Sequence, residues 1–446
     1  MTLEARVENL FRRYRRDSVL LHRPYPPHEG PRTNSKFGGL PNLPAQHEWP
    51  RTSNGTPLHF LAQIDCAEIP FRSPLPERGM LFFFGRDDEE QIWNHEPPAS
   101  DDCLVIYALD AFAATPPRAA PHDLPPIGGY YPRPAWRDYL RDGEKGPPLH
   151  VEWPIRPLRM DSWPDPGGLP EFHAHQESGW RGFLAGLRAA GGADTEEVLD
   201  AYRERLPAER RSAFERATGR SIEGEPENRY ARIRAAATAI FFDSEEGDEG
   251  DWPRHWIYVH YAARTILHRP ANFAQPSGPT AQELEAAASV WLERSSAAAL
   301  DEEVPEAAKA QFRPWIAAFR YKEEQGRLGT SASTLIAKSC EAAIRSWSGD
   351  RDRAARIPRP VYDGVAHEFG GMDTEFGPQF AQMLGHAPSA QDPLLASDPT
   401  VCLLNLPSED AIGWMFGDMG EATFWIAPRD LAGRGFSKAW GTIEGH

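Results

Sequence analysis

A few short stretches hold the residue types that could do chemistry. In residues 33–50, TNSKFGGLPNLPAQHEWP, Ser35 and Lys36 precede Gly38 and Gly39. A serine becomes a nucleophile when a desolvated amine lies within hydrogen-bond reach. Neighbours on an extended chain point to opposite sides, so Ser35 and Lys36 are not expected to meet. No G-x-x-x-x-G-K-[ST] loop runs into a helix, which argues against a phosphate cradle. Gly38 and Gly39 more simply permit positive φ or close backbone approach, with Pro41, Pro44 and Pro50 stiffening the ribbon around them. A rigid binding loop is the alternative.

His173-x-His175, followed by Glu177, has the spacing of a metal pair on a strand, but no third His or Cys lies near it. No metal and no cofactor are expected. His255, His260 and His268 fall on or beside one helical stretch and read as packing residues. Asp65, closing AQID, and Asp418, in a turn between aromatic stretches, are candidate acid/base carboxylates. Neither has a second carboxylate at a known distance. Asp418 reads more simply as a turn former. Gln63 and Gln382 stand among apolar neighbours and either read a ligand or satisfy a sheet interior.

The elements that must position these residues follow from composition and pattern. The 446 residues are 40% hydrophobic and 25% charged, with 14 Trp and 22 Phe, a folded and not a disordered balance. A net charge of −17 repels phosphate backbones, so no nucleic-acid partner is expected. The same acidity suits a basic protein partner. Cys66, Cys103, Cys340 and Cys402 are scattered, which argues against a disulfide framework. No apolar run approaches the ~18 residues of a membrane span, and the first residues mix Glu and Arg where a secretory signal is apolar. A cytoplasmic setting is expected.

Leu3, Val7, Leu10, Phe11 and Tyr14 recur at helical spacing, predicting an amphipathic helix over 3–16 within an N-terminal segment 1–20. From 58 to 163, LHFLAQID, GMLFFFGRD, DCLVIYALD and LHVEWPIRPL read as short antiparallel strands between turn formers. From about 177 to 350 the chain turns helical, with stripes at Trp256, Val259, Ala263, Ile266, then Leu284, Ala288, Trp291, then Phe312, Trp315, Ile316, Phe319. PSGPT ahead of the second stripe supplies stop and start signals. The acids of 243–251 lack the EF-hand pattern and read as a solvated loop. VCLLNLP then predicts a strand, and AIGWMFGDMGEATFWIAP two strands around Gly417–Gly420, followed by a brief helix in RDLAGRGF and a last strand in SKAWGTIEG.

Several of these blocks, taken together and in order, resemble the YwqG-like family of bacterial proteins, a domain family of unknown function. They are SKFGGLPNLPAQHEWP, PLHFLAQIDCAEIP and LPERGMLFFF, then GPQFAQMLGHAPSAQ and GWMFGDMGEATFWIAPRDLAGRGFSKAW. His386-Ala387 and Phe380 depart from the pattern, and the helical block has no counterpart in the resemblance. The resemblance implies a fold and no activity.

The fold class is therefore read as α+β: a mainly antiparallel sheet core built from residues 33–176 and 360–446, with an all-helical insertion at 177–350. The C-terminal piece is too short to bury its own strands, so the two β-rich ends are expected to share one core. The leading functional expectation is a non-catalytic protein-binding module, in a narrower form a toxin-neutralising immunity protein that covers a basic enzyme. The alternative is a small-ligand binder or enzyme with a cleft lined by Ser35, Lys36, Gly38, Gly39, Gln63, Asp65 and Asp418, Gln382 being a further ligand-binding candidate.

Overall fold

The computed structural model describes residues 2–88, 93, 101–111, 114–129, 134–137, 139–140, 143–169, 193–220, 251–268, 279–317, 332–369, 380–387 and 400–445. Its strands are β1 (Arg16–His22), β2 (Lys36–Phe37), β3 (His59–Asp65), β4 (Met80–Gly85), β5 (Cys103–Ala108), β6 (Trp153–Pro154), β7 (Arg156–Ser162), β8 (Gln382–Met383), β9 (Val401–Pro407), β10 (Glu421–Ile426) and β11 (Trp440–Glu444). They form a six-stranded sheet in the order β11-β10-β9-β8-β1-β7 and a five-stranded sheet in the order β5-β4-β3-β2-β6. Every pairing is antiparallel. The longer helices are α1 (Leu3–Tyr14), α2 (Ala193–Thr218), α3 (Trp256–His268), α4 (Ala281–Ser296), α5 (Glu306–Ala317) and α6 (Ala332–Trp347). The fold is α+β.

The two β-rich ends of the chain do share a core. Phe83 of β4 meets Phe424 of β10 edge-on at 5.3 Å, and Trp93 meets the same ring at 5.3 Å. Phe37 of β2 packs edge-on against Trp414 at 4.9 Å. These rings are essentially fully buried. A fully buried Phe stabilises by about 1.5–3 kcal/mol, so a few such interdigitations hold the sheets together.

The helices α3 to α6 extend that same core, with Ile257, Ala263, Phe312, Leu335 and Ile344 continuous with it. Their start signals are real: Thr280 caps α4 in a capping box with Glu283. Polar ties pin the last of them, α6, to connecting segments of the β-rich ends. Tyr139 Oη donates to the Lys338 carbonyl at 2.7 Å, Ser348 Oγ to the Glu152 carbonyl at 2.6 Å, and Arg345 Nη2 to the Asp410 carbonyl at 2.9 Å.

Two local expectations are corrected. The N-terminal segment is a helix only over Leu3–Tyr14, capped by Thr2; Arg16–His22 is a strand inside the six-stranded sheet. Its buried run Ser18–Leu21 is covered on both faces, so the alternation that marks a half-buried strand is missing. Ile412, Trp414 and Phe416 were expected to alternate along a strand. They lie instead in turns joined by a single bridge between Glu409 and Trp414, all three side chains buried. Positive φ at Gly413, Gly417 and Met419 keeps this stretch from extending.

The face of the six-stranded sheet turned away from the other sheet is covered over β1 and β7 by α1 and α2. Phe11 stacks on Tyr202 at 4.4 Å, and Trp163 Nε1 donates to the Phe11 carbonyl at 2.8 Å. Leu20, Met160, Leu199 and Phe214 complete this second core. It is the setting of the candidate site.

Candidate functional site

The Ser35 loop is a closed hydrogen-bond network. Ser35 is fully buried; its hydroxyl donates to Glu68 Oε2 at 2.6 Å and accepts the Asp65 amide at 2.9 Å. Glu68 also takes the Thr33 hydroxyl at 2.7 Å and the Asn34 amide at 2.7 Å. Gln63 clips the loop to β3, donating to the Asn34 carbonyl at 2.7 Å and Asn42 Oδ1 at 2.9 Å while accepting the Asn42 amide at 2.9 Å. Asp65 accepts from Asn34 Nδ2 at 2.9 Å and caps the following turn by accepting from the Ala67 amide at 3.0 Å. Lys36 turns away from Ser35 and pairs with Glu152 at 3.0 Å.

The glycines of the loop are steric requirements. Gly38 has φ +55°, and a Cβ there would stand 2.2 Å from the Val151 carbonyl oxygen. Gly39 has φ +66° and donates its amide to the His150 carbonyl at 3.0 Å. Thus Ser35, Gln63 and Asp65 come together, but as the rim of the five-stranded sheet, with their polar atoms spent on each other. Asp418 is not among them: it sits in the turn before β10, against Gly445 at the end of β11, and shares no hydrogen bond with the Ser35 network. His173, His175 and Glu177 lie outside the described residues, as do Phe319 and all of the acidic loop except Asp251.

Gln382 has a different setting. It pairs with Leu20 of β1 and Asn405 of β9; Asn405 pairs with Thr423 of β10, and Thr423 with Thr442 of β11. Cross-strand partners share a face, so Gln382, Asn405, Thr423 and Thr442 form one polar row across the outward face of the sheet. All four are at most 8% exposed. Asn405 Nδ2 donates to Thr423 Oγ1 at 3.0 Å and to Glu421 Oε2 at 2.5 Å, and Trp425 Nε1 donates to Thr442 Oγ1 at 3.1 Å. Asn405 Oδ1 is buried and accepts nothing. Turning the amide over would strand the other end instead, so the row carries one unspent hydrogen-bonding position either way.

Glu421, two residues from Thr423 and therefore on the same face, is 7% exposed. Burial pushes its carboxyl up to about 8, against the pull of the Asn405 amide, so near pH 7 the side chain is mostly the neutral acid. A neutral carboxylic acid is a donor as well as an acceptor.

Where the row meets β7 and α2, a cleft opens, lined by Met160, Asp161, Ser162, Arg210, Phe380, Gln382 and His386. The space in which the centre of a water can stand is about 30 Å³, and about 350 Å³ is empty once the open mouth is included. That first space has room for about two waters, the size of the end of a small polar molecule and not of a drug-sized body. Gly385 leaves no room for a side chain beside two of the lining residues: a Cβ there would lie 2.7 Å from Gln382 Oε1, 2.7 Å from Ser18 Cβ and 2.8 Å from Ser162 Oγ. Gln382 Nε2 donates to the His386 carbonyl at 2.6 Å, and Ser162 Oγ accepts the His386 amide at 2.9 Å. The His386 ring, bonded to the Tyr14 carbonyl at 3.0 Å, is pushed down to about 3 by burial first and then by Arg16, and is neutral.

Of the binding candidates read from sequence, only Gln382 lines this cleft; Phe380 and His386, noted there only as departures from the family pattern, line it too. Asn405, Glu421, Thr423, Ser162 and Arg210 were missed. A signal existed for Asn405, which stands alone and polar in VCLLNLP as Gln382 does in its own stretch. Nothing marks Arg210 among the many arginines of a solvated helix.

A two-sheet α+β protein whose core is closed by the two ends of its chain is the class this architecture defines. The chain belongs to the family described as Domain of unknown function (DUF1963), which matches residues 35–157 and 235–444. The split match fits a domain interrupted by an insertion; α2 falls between the matched segments, and α3 to α6 lie within the second. No curated protein matches the chain.

Proposed function

We propose that the chain is a binding protein that takes the polar end of a small molecule in the cleft at Gln382, on the outward face of the six-stranded sheet. One observation carries this reading: the buried row Gln382–Asn405–Thr423 ends in an open cleft and keeps unspent hydrogen-bonding capacity at Asn405 Oδ1. Buried polar groups are almost always paired, so an unpaired acceptor on Asn405, the cross-strand neighbour of the cleft residue Gln382, supports a polar partner on this face of the sheet. The Ser35 network supports no such reading, because every polar side chain in it is occupied.

A screen of small polar compounds by thermal shift tests the proposal, with wild type set against Gln382→Ala and Asn405→Ala. Compounds that stabilise wild type and neither variant support it; compounds that stabilise all three equally, or none at all, defeat it.

The protein-partner reading keeps one supporting observation, the net charge of −17. A charge-steered basic partner, of the kind a toxin-neutralising immunity protein would cover, would elute from the immobilised chain as salt rises. We also propose the finer assignment to the YwqG-like proteins within the family, and with it a bacterial setting, on the order of the matching blocks; a cytoplasmic setting is proposed on the scattered cysteines.

A further inference from the structure

The cleft is built from two parts of the chain. Gln382, Phe380 and His386 come from the second family-matched segment, whereas Met160, Asp161, Ser162 and Arg210 come from the stretch between the matched segments. The charge they bring is lopsided. Arg210 lines the cleft; Arg16 and Arg210 both lie close enough to His386 to bear on its charge. Asp161 is the one acid in the lining and already faces Arg216 at 3.4 Å and Arg15 at 3.9 Å.

The Arg210 guanidinium is held in place by one nitrogen, Nη2, which donates to Asp165 at 3.0 Å and the Trp163 carbonyl at 3.2 Å. Its Nε and Nη1 hydrogens carry no hydrogen bond to any described residue; because each bidentate edge of a guanidinium includes Nη2, what remains is the fixed positive charge with single N–H donors, enough for one oxygen of a carboxylate or phosphate. Gln382, in the same lining, has its nitrogen committed to the His386 carbonyl, so its Oε1 is fixed as an acceptor to which no described residue donates. An acceptor at that point repels a bare oxyanion and calls for an N–H or O–H.

Resting on the cleft reading above, we infer that the ligand presents a small oxyanion to Arg210 and, on the neighbouring atom, an N–H or O–H donor to Gln382 Oε1, the chemistry of a 2-hydroxy or 2-amino acid or of a hydroxyl beside a phosphate ester. Arg210 is then the residue by which this chain's extra segment sets the ligand class. In a chain this acidic, anions are repelled at long range, and a local positive cleft selects for those that fit.

The test uses the full chain labelled with 13C-methyl methionine, Met160 in the cleft wall reporting binding and Met383, on the core face of β8, serving as internal control. Glycolate, acetate, glycolamide and glycerol 2-phosphate are titrated in turn. The inference expects glycolate to bind at least tenfold tighter than acetate, which lacks the donor, and than glycolamide, which lacks the charge. It further expects Arg210→Gln to lose tenfold or more in glycolate affinity while Arg210→Lys recovers part of it, with circular dichroism confirming that both variants fold. Glycerol 2-phosphate bound tighter than glycolate assigns the oxyanion to a phosphate ester and supports the same chemistry. Glycolamide binding as well as glycolate, or an Arg210→Gln variant with unchanged affinity, overturns the oxyanion assignment and leaves the cleft standing. No probe moving Met160 overturns both.

Discussion

Gln63 and Gln382 each stand in an apolar strand, one on each sheet, and their surroundings differ in what is left over. Around Gln63, the groups of Thr33, Asn34, Ser35, Asn42, Asp65 and Glu68 donate and accept among themselves until the ledger closes. Around Gln382, no described residue donates to Asn405 Oδ1 or to Gln382 Oε1, and burial holds a carboxyl mostly neutral near pH 7. A closed network specifies a conformation, whereas an open one has capacity to specify a ligand. The difference teaches that a lone glutamine in a strand is not evidence for either role until its neighbours are counted.

That contrast can be broken most forcefully at the rim of the five-stranded sheet. Gly38→Ala is expected to cost on the order of 3 kcal/mol or more, because the added Cβ collides with the Val151 carbonyl in a left-handed backbone. Urea unfolding measures it, and a midpoint matching wild type would mean the rim is not rigid. Glu68→Ala follows, at about 2–4 kcal/mol, since it strands the donors of Thr33, Asn34 and Ser35 at once. A smaller loss than that of Gln382→Ala would reverse the assignment of structural and binding roles.

Acid and base sharpen the other side of the comparison. Folded Glu421 holds its proton up to about 8, well above the ordinary carboxyl value of 4.5. Between those values the folded state binds more protons than the unfolded one, so stability falls as pH rises through the window. Glu421→Gln is expected to flatten this slope and to raise stability at pH 9 by a few kcal/mol, on the order set by the shift. His386, held to about 3 against 6.5, works in the opposite direction: the unfolded state takes up the proton first, and stability falls as pH drops below 6.5. Burial pushes His22, His255 and His260 to about 4 in the same way, so His386→Gln is expected to remove only part of the acid slope. Unfolding free energies from pH 3 to 9 give both signs, and a Glu421→Gln profile parallel to wild type would contradict the buried neutral acid.

The smallest effect concerns the thiols. All four cysteines are buried, with Cys66 and Cys103 pushed up to about 12 by burial. Native protein at pH 8 is expected to resist iodoacetamide and to react only in denaturant; fast labelling of the folded chain would expose a loosened core.

Much of the fold was legible because local pattern and final environment agree. The strands His59–Asp65, Met80–Gly85 and Cys103–Ala108, the stripes of α3 and α4, and the sharing of one core by both ends follow from apolar spacing and from what a short piece can bury alone. Arg16–His22 escaped because a central strand covered on both faces shows no alternation, and Ile412–Phe416 misled because three buried aromatic and aliphatic side chains also fit a string of turns.

By itself the sequence determined which segments are apolar, where glycine and proline interrupt them, and hence an α+β architecture closed by its two ends. Only the tertiary structure decided which polar side chains are satisfied. Hydrogen bonds such as Ser35 to Glu68 or Asn405 to Glu421, and the cleft shared by Arg210 and Gln382, join residues 16 to more than 100 positions apart, through strand register and helix docking that no local pattern encodes.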